Sequence, residues 1–528
     1  MKGFIDIHNI SGYLNTKKRN EIIILLLCIL IGFALRLYTF DQKSLWLDEV
    51  HTFNESRDDL KGQIEFYKVN SSHLHPPLFF VLTHLFYPFT KPERDLRIIP
   101  LIFGTLSIPV IYLLAKQFSA RIALPCALSL AFMVYNISLS QDGRSYSFLM
   151  FVAMAGLYLF VRHLKTSKKR YLPLVAFLFS ILFYTSYSSI PFITLSQILW
   201  FYRPNKGDKK PALSSFLILN GLIILFCLPW IFFVAINYKG QPIADPFHTE
   251  NPGSFWYILY GVLHDWVPYA PLMMISIILF ILFPFFSKDK KNAFILLALF
   301  VFPIGGLYLY CTLLHLTHFI SSRYFISFLP LFLITLYLSL ESIEFKFERL
   351  KKFIRLRLLF VILLILSNLI ILPFYYRSEK QDIRGLVTYL KGHLQDGDKI
   401  FLELDPLTPG ILHYFGAYPK YRHYLYTGKR ISEKEIELQT PFVYKNRAFI
   451  IYHHETCCDR YVADGSRLWI IVKKSTAKKF KESSPAVLKG YFDGSFLTVE
   501  RFPIDGSLYL FLWDPKSPEE KGIDMPIE

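Results

Sequence analysis

Asp48 and Glu49 stand side by side in SLWLDEVHTF (Ser44–Phe53), just after an apolar run that ends near Phe40. Crossing a bilayer requires no acidic pair. Two carboxylates at the end of such a run fit a group that takes a proton or holds a metal ion at the interface. Four more polar clusters share that setting: His73 and His75 before Pro76–Pro77, QDGRSY (Gln141–Tyr146), His264–Asp265–Trp266, and HFISSRYF (His318–Phe325). A carboxylate or imidazole can move a proton or bind a metal, and the planar fork of Arg144 or Arg323 matches a phosphate. Each also has a plainer use. Asp48 suits a helix N-terminus, Asp142 before Gly143 suits a turn, Arg323 can snorkel to lipid headgroups, and Trp266 fits an interfacial belt.

These clusters are positioned by what lies between them. The chain has 528 residues, 53% hydrophobic and only 19% charged, with mean hydropathy +0.34. Soluble domains run nearer 25% charged, and the apolar residues here fall in blocks long enough for a bilayer. The expected spans are Glu21–Phe40, then 98–115, 122–140, 146–163, 171–185, 187–202, 213–236, 268–286, 293–314, 324–340 and 358–376. The piece 78–90 is short and opens on two prolines, and charge decides its fate. Left out of the count, it puts Lys165, Lys168, Lys169 and Arg170, then Lys206, Lys209 and Lys210, then Lys288, Lys290 and Lys291 on the cytoplasmic side, with the basic run 346–357. The opposite short loops carry almost only Arg144, Lys239 and Arg323. Counting 78–90 would reverse this and break the positive-inside rule. The expectation is a polytopic α-helical membrane protein of eleven spans, with 78–90 as a surface or re-entrant helix in a first outer loop (41–97). The N-terminus is then cytoplasmic, and every polar cluster above faces the other side.

Beyond residue 376 the composition changes. Residues 382–395 carry a helical apolar face, and KIFLEL (399–404), AFIIYH (448–453), LWIIV (468–472), FLTVERF (496–502) and LYLFLW (508–513) read as strands between turn residues. A soluble, non-cytoplasmic α/β domain over 377–528 follows a membrane domain over 1–376. Lys17, Lys18 and Arg19 flank a first run with no small-residue cleavage site, so it reads as an uncleaved span. The net charge of +17 sits in short loops rather than on a nucleic-acid face. Cys28, Cys126, Cys227 and Cys311 lie in apolar runs, and adjacent Cys457 and Cys458 lack paired metal spacing. No glycine-rich phosphate loop is present, so no nucleotide cofactor is expected. The span interiors hold almost no ionisable groups, which argues against a proton-coupled carrier.

The order of the motifs resembles the GT-C superfamily of membrane glycosyltransferases, family 39 and its relatives. An acidic pair follows span 1, then come HPPL, ERDLR leading into a span, Q-D-x-R, and R-Y-F before a late span. Those relatives include protein O-mannosyltransferases, aminoarabinose transferases of lipid A, and enzymes that move sugars from polyprenyl phosphate. The resemblance covers roughly residues 20–400. It implies a GT-C-like fold and inverting transfer of a sugar from a polyprenyl-phosphate carrier to an acceptor, whether a glycolipid such as lipid A, a protein or a wall polymer. Asp48 aligns with the family's first-loop acid, as general base or acceptor positioner, supported by Glu49. Asp142 matches the second acidic position, which in relatives helps bind a divalent ion or the acceptor, so a metal on Asp48 and Asp142 is compatible. Arg144, His75, Arg323 and Tyr324 are the implied donor-phosphate residues, and His264 and Asp265 a looser donor or acceptor loop. His75 departs from the pattern, since some relatives have lysine there beside an acid and this chain has Leu74. The implied location is the inner membrane of a bacterium, with the reaction at its outer face. A lipid or sugar transporter, and a non-catalytic subunit that binds a carrier lipid, are the alternatives.

Overall fold

The computed structural model describes residues 7–69, 74–202, 212–238, 255–313, 320–347, 355–417, 429–430, 436–453, 467–473, 476–479, 488–494 and 508–514. His73, Cys457, Cys458 and the expected strand at 496–502 lie outside them. The chain is an integral membrane protein. Among the described residues seven helices are long and apolar enough to cross a bilayer, or nine when each of two bent pairs counts as one span.

α1 (Ile7–Leu37) is followed by four short helices: α2 (Leu47–Glu55), α3 (Leu60–Val69), α4 (Leu78–His84) and α5 (Pro92–Asp95). At seven residues α4 is ~10 Å long, too short to cross a bilayer by itself. α6 (Ile98–Phe118) and α9 (Tyr146–Thr166) pack against each other. Between them the expected span 122–140 is broken into α7 (Ala123–Phe132) and α8 (Val134–Ser140), which meet at 62°. The break frees backbone carbonyls in an apolar core, and Arg36 answers them. Its guanidinium, fully buried, donates to Leu130 O at 2.9 Å, Ala131 O at 3.0 Å and Gly32 O at 2.8 Å. An unpaired polar group there would cost several kcal/mol, so this arginine is structural.

α10 (Tyr171–Thr185) ends where the serine-rich turn was expected, with Ser186 Oγ accepting from Ser188 N. The expected span at 187–202 is broken rather than one continuous helix. A 3₁₀ turn, α11 (Ile190–Leu195) and a second 3₁₀ stretch, Ser196–Phe201, run from Tyr187, which donates to Leu74 O and accepts from the Trp230 indole, to Tyr202, which packs on Phe118 near the far end of α6. α12 (Leu213–Asn237) is a long span. α13 (Phe255–Trp266) turns through 113° into α14 (Ala270–Phe286), followed by α15 (Lys290–Leu313), α16 (Leu329–Lys346) and α17 (Leu356–Arg377). Cys28, Cys126 and Cys227 are buried free thiols.

α18 (Ile383–His393) and α19 (Thr408–Phe415) cover a seven-stranded mixed sheet. β1 (Lys399–Leu402) lies at its centre, parallel to β4 (Arg447–His453) and β5 (Leu468–Lys473). The other pairings are antiparallel: β2 (Lys429–Arg430) with β3 (Ile436–Tyr444), β3 with β4, β5 with β7 (Leu508–Trp513), and β7 with β6 (Leu488–Gly494). The β3–β4 hairpin turns on Lys445 and Asn446, both at positive φ, as a two-residue primed turn requires. One hydrophobic cluster runs from the sheet into the loop after α1. Leu45, Leu47, Val50 and Phe53 are buried with Ile383, Leu386, Leu407 and Ile411. At about 1.5–3 kcal/mol for each buried aliphatic side chain, that shared core fixes α2 to the C-terminal domain.

Candidate functional site

α2 divides its two carboxylates. Residues three and four apart share a helix face, so Asp48 lies with His51 and Thr52, while Glu49 is turned about 100° away. Glu49 is fully buried. Its two oxygens accept from Arg97 Nε and an Arg97 terminal nitrogen, each at 2.6 Å, and Oε1 also accepts from Gly143 N at 2.7 Å. Arg97 further donates to the carbonyls of Phe40, Lys43 and Ser44. Expected beside the reacting centre, Glu49 is instead sealed from it and locks α2 to the start of α6 and to the DGR loop.

Asp48 stays reachable, with 23% of its side chain exposed. Its Oδ2 accepts from Arg323 at 2.7 Å and lies 3.9 Å from Arg144 Nε. Arg144 also donates to Asp48 O at 3.2 Å and Thr52 Oγ at 3.3 Å. Burial pushes the Asp48 carboxyl up, but Arg144 and Arg323, with His51 and Lys380 behind them, outweigh it and hold it below the usual carboxylate range. Asp48 is therefore a carboxylate held between two arginines from distant parts of the chain.

Asp142 is almost fully buried and serves Trp46. Its Oδ1 accepts from the Trp46 indole N–H at 2.9 Å, and Oδ2 meets Lys380 Nζ at 2.9 Å. Gln141 is also structural, donating to Arg36 O and accepting from Tyr375. Arg323, in a 3₁₀ stretch (Ser322–Phe328) before α16, stands over two rings, with Cζ 5.3 Å from the Trp46 centroid and 5.7 Å from that of Tyr146. Tyr324 follows it, half-buried.

His75 is exposed, packs edge-on against Phe80, and acts on the cluster as a charge near His51. Burial lowers the His51 pKa, Asp48 and Glu55 raise it, and Arg144 and His75 lower it again, so it lies below the ordinary histidine value. His264 and Asp265 pair with each other at 3.8 Å on the last turn of α13. Among the described residues, the ion pairs of the Asp48 cluster do not include them.

Sequence reasoning missed two residues. His51 is legible once SLWLDEVHTF is read as a helix, because it falls one turn after Asp48. Lys380 carries no such signal, since only the tertiary fold brings it to Trp46 and Asp142. A divalent metal does not fit these residues. Both Asp142 oxygens are taken, Asp48 faces two guanidinium groups, and no group of three metal-binding side chains occurs among the described residues. The arrangement suits a carboxylate base beside a cationic pocket for a phosphate.

Residues 74–233 match the profile of the family described as dolichyl-phosphate-mannose-protein mannosyltransferase. No curated protein matches the chain by sequence. The solved structures that share its fold include two states of one protein. ArnT from Cupriavidus metallidurans bound to undecaprenyl phosphate superposes with a TM-score of 0.53 at 12% identity, over 93% of this chain and 97% of that one. The apo state of the same protein gives 0.52 at 11% identity, over 97% and 99%. The fold is GT-C-like, as its motif order implied.

Proposed function

We propose that this chain is an integral-membrane glycosyltransferase that moves a sugar from a polyprenyl-phosphate carrier to an acceptor nucleophile, on a glycolipid, protein or polymer, at the outer face. The carrying observation is the Asp48–Arg323 contact at 2.7 Å, which joins a reachable carboxylate to a phosphate-matching cation. A fold shared with ArnT, whose structure holds undecaprenyl phosphate, supports the choice of donor.

In this reading the acceptor X–H gives its proton to Asp48 as X attacks the anomeric carbon. The bond from that carbon to the phosphate oxygen breaks, its electron pair leaves with the phosphate, and the configuration inverts. A phosphodiester of one negative charge becomes a monoester that carries more, while Asp48 becomes neutral. Negative charge passes from carboxylate to phosphate, and Arg323 and Arg144 follow it. A carboxyl held low by two arginines is a weak base at rest. When the donor phosphate draws those arginines to itself, less positive charge depresses Asp48, and the base strengthens as the donor binds.

The test supplies purified protein with polyprenyl-phosphate sugars and candidate acceptors and measures transfer. Turnover by the wild type and its loss in Asp48→Asn, with folding kept, are expected. Equal turnover in both proteins would remove Asp48 from the reaction.

A further inference from the structure

Lys380 belongs to the segment 379–384, through which the chain enters its C-terminal domain. Its neighbours there act as fasteners. Glu379 Oε2 accepts from Ser44 N at 2.9 Å, Gln381 Oε1 accepts from Leu47 N at 2.8 Å, and Asp382 Oδ1 caps α18 by accepting from Gly385 N at 2.7 Å. The Lys380 ammonium instead reaches the site. It lies 2.9 Å from Asp142 Oδ2 and 4.8 Å from the centroid of Trp46, the ring over which Arg323 also stands.

Two further facts bear on what it does there. Lys380 is 16% exposed whereas Asp142 is 2% exposed, so the ammonium is the reachable member of the pair. An ammonium has three N–H donors, and one carboxylate oxygen cannot occupy them all. Among the described ion pairs that meet at Asp48 and Asp142, two carboxylates face three cations, Arg144, Arg323 and Lys380, a balance that suits an added anion such as a phosphodiester.

We infer that Lys380 is a third cation of the donor-phosphate site, supplied by the C-terminal domain, so that the site is incomplete without that domain. This rests on the lipid-phosphate reading above and deepens it. Lys380 keeps its contact with Asp142 and turns its remaining N–H groups to the phosphate. Trp46 holds Lys380 and Arg323 against one aromatic surface, which limits the entropy lost when both engage the same anion.

The experiment titrates the full-length protein in detergent with undecaprenyl phosphate, and with undecaprenol as the uncharged control. The wild type is expected to prefer the phosphate. Lys380→Met should lose about tenfold in phosphate affinity, the scale of one charged hydrogen bond, with alcohol affinity unchanged, and Lys380→Arg should restore most of it. Wild-type phosphate affinity in Lys380→Met would overturn the inference even if transfer fell, because Lys380 would then only buttress Asp142. Asp142→Asn keeps the question open to test should Lys380→Met fail to fold. A phosphate-binding Lys380 predicts affinity at or above wild type in Asp142→Asn, and a merely structural one predicts the same loss as Lys380→Met. A wild type with no preference for phosphate over alcohol would instead overturn the donor reading beneath both.

Discussion

Asp48 and Glu49 are adjacent on one short helix and each meets an arginine, yet the two pairs have opposite surroundings. Glu49–Arg97 is dry, closed by five hydrogen bonds to Glu49 and to backbone carbonyls, and fixed on both sides. Asp48–Arg323 is open to solvent on the carboxylate side, with a second arginine at 3.9 Å. A closed ion pair holds a fold in register, whereas an open one can exchange its partner. The difference comes from about 100° of helix rotation, which aims one acid at the α6 terminus and the other at the 3₁₀ stretch before α16.

The largest way to break this comparison is chemical. Asp48→Asn should lower transfer by about 10²–10⁴-fold, the usual weight of a general base, with the thermal unfolding midpoint near wild type. Loss of folding in that variant would place Asp48 with Glu49 as a structural residue. Next comes Glu49→Gln, which leaves Arg97 buried without its counter-charge. Breaking one partner of such a pair costs about 3–5 kcal/mol, so detergent-solubilised protein should melt earlier. An unchanged midpoint together with lost transfer would move Glu49 into the chemistry.

A subtler change acts from below α2. A Cβ built on Gly410 in α19 would meet Val50 Cγ2 at 2.7 Å, so Gly410→Ala should push α2 and Asp48 with it. About tenfold loss of kcat is expected, with donor KM little altered, for a displacement of this kind. Adding Val50→Ala should recover most of it. No recovery in the double variant would uncouple the contact from catalysis.

The smallest effect is a pH shift. A carboxylate depressed in the folded protein contributes its stabilisation above the ordinary value near ~3.9 and loses it as pH falls through the lower folded value. Asp48 is depressed, so the acid limb of kcat/KM, which reports the donor-free enzyme, belongs below the usual carboxylate range. Arg323→Gln removes one of the charges responsible and should move that limb to higher pH. A limb that stays where it was would mean that Arg323 does not set the ionisation of Asp48.

Much of this was legible in the residues. The acid after the first span, the Q-D-x-R loop and R-Y-F were sequence landmarks, and the structure joins Asp48, Arg144 and Arg323 in one cluster. What sequence could not separate was Asp48 from Glu49, because a D-E pair has no intrinsic orientation until the helix is seated on Leu47, Val50 and Phe53. Asp142 was legible as a polar residue in a loop between apolar runs, but its service to Trp46 depends on a ring 96 positions away. The apolar run 187–202 was legible as a passage between the two ends of the bundle but not as a broken one, because hydropathy records burial and not helix continuity. Lys380 was hidden for the reason given by its place, among residues whose partners lie more than 330 positions upstream.

The shared core beneath α2 has a practical consequence for hybrid proteins. Tyr414 of α19 accepts from Leu45 N and donates to Glu93, both at 2.9 Å. A chimera that keeps this membrane half and takes everything after Arg377 from a relative would therefore swap out half the bed on which Asp48 rests. Specificity swaps in this scaffold need to carry 44–55 and 379–415 together as one cassette, because the chain boundary at the last span is not a seam in the packing.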